Sequence, residues 1–356
     1  MQLRVVLRTP NGETVTRDVR NGSWADPEAA MTDQVLGADL WALPGLVDAH
    51  AHLARESMDF GPGDLAGASR RATMALEAGV GLLLDKGWSD LTVIDLIDKV
   101  STQHRPDIEA AGAIYAVEGG YSPGFTRNVA PGGVAAAVRE ASIEGRGWVK
   151  LIGDWPRKGV GPMPNFSESE LATAVEVASR LGSRVAVHTM ARDVPSVAVR
   201  AGVHSIEHGL FLAADDLGAL GARGGSWVPT VVQVEALVRQ LGPESSGGRL
   251  MREGLANMVS QFAIAVEAGV HVLAGTDLAV GSRQVALEGI RLWEMGMEPH
   301  AAVDAVSTSG FRATGRPAAF EVGTPANAVL FPEDPVLDPR VLSHPKRVIR
   351  MGRIVK

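Results

Sequence analysis

The sequence predicts an α/β protein: a (β/α)8 barrel of the TIM type, with a small β-sandwich domain built from both chain ends. Three observations carry this. Strand-like and helix-like segments alternate eight times through the middle of the chain. Four helical patterns close on a glycine just before a strand, at Gly79, Gly182, Gly202 and Gly269, where a helix end favours a left-handed residue. Both termini read as short strands and turns instead. The expected division is residues 1–42 plus 320–356 for the small composite domain and 43–319 for the barrel.

The elements follow in order. LRVVLRT and ETVTRDV alternate around Pro10-Asn11-Gly12, a hairpin signal. Strands are expected at 45–52, 80–85, 109–117, 147–152, 184–188, 203–208, 226–232 and 270–277. Helices are expected at 66–79, 89–100, 133–143, 168–181, 192–201, 213–220, 249–268 and 283–296. Ser167 and Glu170 form a capping-box signature at the start of the fourth helix. The C-terminal segments ANAVLF and KRVIRMGRIV return to strand character. A doubly wound open sheet is the rival architecture, but no glycine-rich dinucleotide loop follows the first strand.

The bulk numbers bound the function. The 356 residues are 46% apolar, enough for a large core, and the net charge is −7. An acidic chain without a basic cluster does not suit nucleic acid as a partner. The absence of cysteine excludes disulfides and thiolate–metal sites. No segment approaches about 20 uninterrupted apolar residues, and the N-terminus lacks the apolar run of a secretion signal. The expectation is a cytoplasmic protein that acts on a small molecule, with no membrane or nucleic-acid partner and possible homo-oligomerisation.

The chemistry concentrates at strand ends. In LPGLVDAHAHLA the residues Asp48, His50 and His52 share one strand face. In a barrel that face looks inward, and active sites of such barrels sit at the carboxyl ends of the strands. Two imidazoles so placed can converge on one divalent ion. Alone, this HxH is a weak signal. Four further strands strengthen it: GWVKLIG carries Lys150, VAVHT ends at His188, SIEHG at His208 and LAGTD at Asp277. Scattered core histidines would not all fall at strand ends. Lys150 is one of only six lysines against 28 arginines. Buried in an apolar strand, its amine loses charge because desolvation lowers its pKa. A neutral amine can add carbon dioxide and become an anionic carbamate.

These motifs, in this order, resemble the amidohydrolase superfamily, in the branch of imidazolonepropionase-like and metal-dependent prolidase-like enzymes. The resemblance covers essentially the whole chain. It implies His50, His52 and Asp277 on one metal and His188 and His208 on another, with carboxylated Lys150 bridging. It implies two divalent metals, zinc first, with manganese, iron or cobalt compatible with nitrogen and oxygen ligands. The activity implied is hydrolysis of a small-molecule carbon–nitrogen bond (an amide, cyclic amide or N-acyl amino acid) by a metal-activated hydroxide, rather than cleavage within polypeptides. Asp277 is the expected proton shuttle. In EGGYSPGF, Tyr121 stands where prolidase-like relatives often carry a histidine, and it is the candidate substrate-binding residue. Two alternatives differ in class. A single-metal deaminase of a heterocyclic amine would carry a glutamate shortly after His188, where Thr-Met-Ala-Arg-Asp follows. A non-catalytic barrel scaffold would lack ligands, and all six positions are filled.

Other polar residues receive quieter expectations. His204 and His271 fall too far down their strands to join the cluster. His104, His300 and His344 read as surface residues. Glu207 has the wrong strand parity for ligation, and Asp48 suits a supporting role. The Pro/Gly-rich stretch from Asp154 to Phe166 is a connection placed to form a pocket wall.

Overall fold

The computed structural model describes residues 3–28, 34–54, 62–277 and 284–356. From the N-terminus come strands β1 (Leu3–Arg8), β2 (Thr14–Arg20), β3 (Ser23–Ala25), β4 (Gln34–Leu36), β5 (Trp41–Leu43) and β6 (Leu46–Ala51). Helix α1 (Leu65–Glu77), β7 (Val80–Asp85), α2 (Thr92–Lys99), β8 (Asp107–Ala110), β9 (Ile114–Val117), β10 (Arg127–Val129), α3 (Val134–Glu144) and β11 (Trp148–Ile152) follow. A hairpin of β12 (Asp154–Arg157) and β13 (Gly161–Pro164) precedes α4 (Glu168–Arg180), β14 (Arg184–Thr189), α5 (Val194–Arg200) and β15 (Ser205–His208). Then come α6 (Ala214–Gly221), β16 (Ser226–Val228), α7 (Val231–Leu241), α8 (Ser246–Glu267), β17 (His271–Val272), α9 (Gln284–Glu294), α10 (Pro299–Ala305) and α11 (Thr308–Ala313). Strands β18 (Ala328–Phe331), β19 (Arg347–Arg350) and β20 (Arg353–Ile354) end the chain.

Both chain ends share one sheet. Its order is β20-β19-β18-β5-β1-β2-β3, with β4 also on β1. The link between the ends is the antiparallel pair of β5 and β18, with Val329 opposite Leu43. Strand β1 alternates as its sequence suggests: Leu3, Val5 and Leu7 are buried with Trp24, Phe320, Leu330 and Ile349.

The middle of the chain is parallel. One sheet runs β6-β7-β8 and another β10-β9-β11-β14-β15-β16-β17. An Ala110–Gly147 bridge joins one edge of the first sheet to the second, and an Ala51–Asp277 bridge joins the other. Every residue of β6 and β11 is buried, as expected of parallel strands covered on both faces. The Ser167 capping box is present at α4.

Several expected boundaries need correction. The third strand is two strands in different sheets: β8 pairs with β7, and β9 with β11. Gly112 between them has φ 71°, so the chain turns there. The seventh strand stops at Val228, and the eighth is short. Helix α7 replaces the end of the expected seventh strand, while α10 and α11 appear where no helix was expected. The eighth expected helix began at residue 283, outside the described residues, and its described part is α9. The 154–166 connection is the β12–β13 hairpin. No helix among the described residues is long and apolar enough to cross a membrane.

Candidate metal centre

The six expected donors meet at one cavity. His50, His52, Lys150, His188, His208 and Asp277 all line it, with Trp88, Tyr121, Phe125 and Trp155 among the remaining lining residues. The imidazole centroids of His50 and His52 are 5.2 Å apart, His50 and His208 5.3 Å, and His188 and His208 4.6 Å. His50, His52 and Asp277 each offer a ligand atom within 4.8 Å of one another, a group that could hold a metal ion.

Local structure explains how Asp277 arrives. The segment after β17 runs beside β6, with the Ala49 N–H donating to Ala274 at 2.8 Å and the Asp277 N–H to His50 at 2.6 Å. Gly275 permits this approach: a Cβ there would lie 2.7 Å from His50 Cβ and 2.6 Å from Val228 Cγ1. Asp48 ties the same junction, accepting from Thr276 Oγ1 at 2.6 Å and from Thr276 N at 3.0 Å. The supporting role expected for Asp48 is what its contacts show. Asp277 has φ 59°, a left-handed conformation uncommon outside glycine, which turns its carboxylate back to the imidazoles.

Each imidazole of three has its Nδ1 engaged. His52 Nδ1 donates to the Gly87 carbonyl at 2.6 Å. His50 Nδ1 lies 2.6 Å from Glu207 Oε2, and His208 Nδ1 lies 2.7 Å from Thr230 Oγ1. Such contacts fix ring orientation and leave Nε2 for the site. His52 Nε2 is 3.3 Å and His50 Nε2 3.7 Å from Asp277 Oδ1.

Burial and charge set the protonation states. Burial, helped by the charge of Lys150, lowers the pKa of His50 to about 3. Burial lowers His208 to about 4 and, with His208 and Lys150 nearby, holds His188 well below its usual value. These three rings are neutral and able to ligate near neutral pH. His52 differs: burial opposes its protonation, but its contact with Asp277 outweighs that and raises its pKa. Burial opposes ionisation of Asp277, yet the surrounding imidazoles hold its carboxyl well below the usual range. Lys150 is pulled down to about 8 by burial, and its Nζ is buried without a hydrogen-bond partner. An orphaned, easily neutralised amine among imidazoles fits the carbamate expectation, and the nitrogen–oxygen donor set fits divalent metals.

Sequence reasoning missed the carboxylates beneath the donors. Strand parity excluded Glu207, but φ 64° at His208 breaks the alternation. Both side chains therefore reach the interior. Glu207 meets His50 and also Lys86, whose Nζ is 3.2 Å from Oε1. Asp85 accepts from Leu53 N at 2.7 Å and from Gly87 N at 2.8 Å, and so steadies both sides of His52. The signal for these was present: DK ends the apolar run VGLLL, as Lys150 interrupts another.

The other expectations divide cleanly. His104, His300 and His344 are exposed. His204 is half-buried and accepts from Val185 N, away from the cavity, and His271 is half-buried at the start of β17. The hairpin of β12 and β13 contributes Trp155 to the cavity. Arg157 is engaged with the Gly119 carbonyl and with Asn165 Oδ1, so it is held by the protein itself.

The fold and the site define a class: α/β proteins that gather metal-competent donors at the carboxyl ends of parallel strands. The amidohydrolase family model matches residues 41–355, and the chain belongs to that family as an amidohydrolase-type enzyme acting on carbon–nitrogen bonds. An uncharacterized protein of Mycobacterium tuberculosis is 33% identical over 343 residues, covering 93% of this chain and 90% of that one. Ochratoxinase of Aspergillus niger is 24% identical over 234 residues, 62% of this chain and 48% of its own length. A crystal structure of a Xaa-Pro dipeptidase superposes with TM-score 0.82 at 22% identity, over 99% of each chain.

Proposed function

We propose that the chain is a metal-dependent hydrolase of a small-molecule carbon–nitrogen bond (an amide, cyclic amide or N-acyl amino acid), with a binuclear centre bridged by carboxylated Lys150. The observation that carries this is the convergence of six donors from five separate segments of the chain on one cavity, with the Lys150 amine buried and unpartnered. In this reading His50, His52 and Asp277 hold one metal, and His188 and His208 hold the other. Zinc is the first candidate, and manganese, iron and cobalt suit the same donors. Bound metals supply Lewis acidity and make a water nucleophilic near neutral pH. Asp277, ionised and beside His50 and His52, accepts the water proton and returns it to the leaving nitrogen. Burial raises the Tyr121 pKa, so its phenol keeps its proton and can donate to the substrate carbonyl.

The cavity wall supports a ring-bearing substrate. Trp88 and Phe125 lie 4.3 Å apart between centroids, Tyr121 and Trp155 4.4 Å, and Tyr121 and Phe125 6.0 Å. Such an arc favours a flat apolar group over a charged one. Among the described lining residues no guanidinium faces the cavity. The relatives named ochratoxinase and Xaa-Pro dipeptidase support hydrolysis at amide-type bonds.

The architectural reading belongs here too. The two bridges at the edges of the parallel sheets support a closed (β/α)8 barrel over 43–319. The shared terminal sheet supports a composite domain of 1–42 plus 320–356, in the manner of a small β-sandwich. Deleting residues 1–42 then exposes strand edges, and a soluble active remainder would refute that division.

The test is metal-loaded protein against paired amides: N-acyl anilides and aromatic N-acyl amino acids beside dipeptides, hydantoins, lactams and aminopurines. Turnover of the aromatic amides with two metals per chain supports the proposal. Ammonia release from aminopurines alone, with one metal, supports the deaminase instead.

A further inference from the structure

Asp154 and Glu288 take no part in the proposed chemistry, yet both are completely buried. Each spends its carboxylate on backbone N–H groups just beyond a parallel strand, Asp154 after β14, which carries His188, and Glu288 after β16, which lies beside the His208 strand. Glu288, on α9, accepts from Val231 N at 2.6 Å through Oε1 and from Val232 N at 2.9 Å through Oε2. These are the first two N–H groups of α7, which have no partner within the helix. A threonine at the residue before a helix ordinarily turns its own hydroxyl onto such groups. Thr230 occupies that place but makes no capping bond. It lies at φ 50°, a conformation that a β-branched residue adopts only when its surroundings force it. Its hydroxyl instead meets His208 Nδ1. By capping α7 from another helix, Glu288 releases Thr230 to orient His208.

Asp154 acts on the neighbouring strand. Its Oδ2 accepts from both Met190 N at 2.9 Å and Ala191 N at 3.0 Å, while Gly153 N donates to the His188 carbonyl at 2.9 Å. The backbone from His188 to Ala191 is thus gripped by the consecutive residues Gly153 and Asp154. We infer that Asp154 and Glu288 are positioning residues that preform the His188–His208 half of the centre. The inference rests on the two-metal reading above.

The test titrates cobalt(II) into metal-free, full-length protein with bicarbonate. Visible absorption counts the bound ions and gives each affinity, and thermal unfolding without metal reports the fold. Wild-type protein binds two ions. Thr230→Val, Glu288→Gln and Asp154→Ala weaken one of them by about 10–100-fold and leave the other unchanged. Thr230→Ser restores the hydroxyl, and Asp154→Asn keeps one acceptor oxygen, so both bind like wild type. Ser245→Ala, which removes the cap of α8, serves as the control for losing any helix cap. Its two affinities stay at the wild-type values. Folded variants that bind both ions with wild-type affinity overturn the inference. Where Glu288→Gln does not fold, Thr230→Val decides for that half. A wild-type protein that binds a single ion refutes the two-metal reading itself and removes the inference with it.

Discussion

His50, His52 and Asp277 lie on two segments that run side by side and hydrogen-bond through their backbones. His188 and His208 lie on adjacent strands too, with His188 opposite Glu207 and Thr189 opposite His208. Yet the two halves are stocked differently. The first contains its own anion, Asp277, which lowers the electrostatic cost of receiving a cation. The second offers two neutral imidazoles beside the Lys150 amine, whose charge pushes the pKa of His188 down further. The charge of Asp277 reaches both of these rings, and that of Glu207 reaches His208, but neither carboxylate belongs to this pair; in the proposed reading a carbamate on Lys150 would add an anion here. The difference teaches that an imidazole pair is not by itself a metal site; the charge balance of its neighbours decides when it becomes one.

Lys150→Ala probes this comparison hardest. Activity should fall to background and metal content by about half, because the second half loses its anion while the first keeps Asp277. Short carboxylic acids should return part of both. Metal analysis and turnover on the same sample check this, and full activity in the alanine variant refutes the bridge.

Asp277→Asn tests the first half. Asparagine keeps the shape and a weak oxygen ligand but cannot take a proton. Turnover should drop by at least about 10²-fold with much of the metal retained. A loss of activity only in proportion to lost metal would leave Asp277 as a ligand without a proton-transfer role.

Asp85→Asn is a milder perturbation of the same half. Both oxygens of Asp85 accept from backbone N–H groups flanking His52, so an amide group sets a donor against a donor. Affinity for the first metal should fall about 10–100-fold, and the second should be unmoved. Equilibrium titration of metal-free protein distinguishes the two.

The smallest effect concerns pH. Burial raises Asp154 from 3.8 to about 6, against the backbone N–H groups that lower it. The folded state therefore binds more protons than the unfolded state between these values. The associated stability is present below pH about 4 and is lost as pH rises through about 6. Metal-free wild type should lose stability over that window more steeply than Asp154→Asn, which keeps an acceptor and does not titrate. Asp48, also raised to about 6 by burial, contributes equally in both proteins. Parallel curves from denaturant unfolding would refute the assignment.

Much of this site is legible in the chain because its candidate donor positions obey local rules. His50 and His52 follow from strand alternation, and Lys150 is conspicuous in an apolar strand. His188, His208 and Asp277 each end a run with strand character. Helix α4 announces itself by its capping box. Helix α7 does not: its first residues, Val231 and Val232, continue the character of a strand, and its cap comes from Glu288, more than fifty residues away. Glu207 was hidden for a related reason. Regular alternation excludes it, and the left-handed conformation that cancels the alternation falls on His208 itself, with only the following Gly209 to hint at it.

The sequence by itself determined which residues can hold metal, the strand ends that carry them and the alternation that builds an α/β fold. Those properties depend on residue type and on periods of two and 3.6, which neighbours along the chain express. Only the tertiary structure decided which buried carboxylate serves which histidine, where α7 begins and which rings wall the cavity. Those depend on hydrogen bonds and burial between segments far apart in sequence. The desolvation that neutralises His188 and pulls Lys150 down exists only once the strands have closed around them.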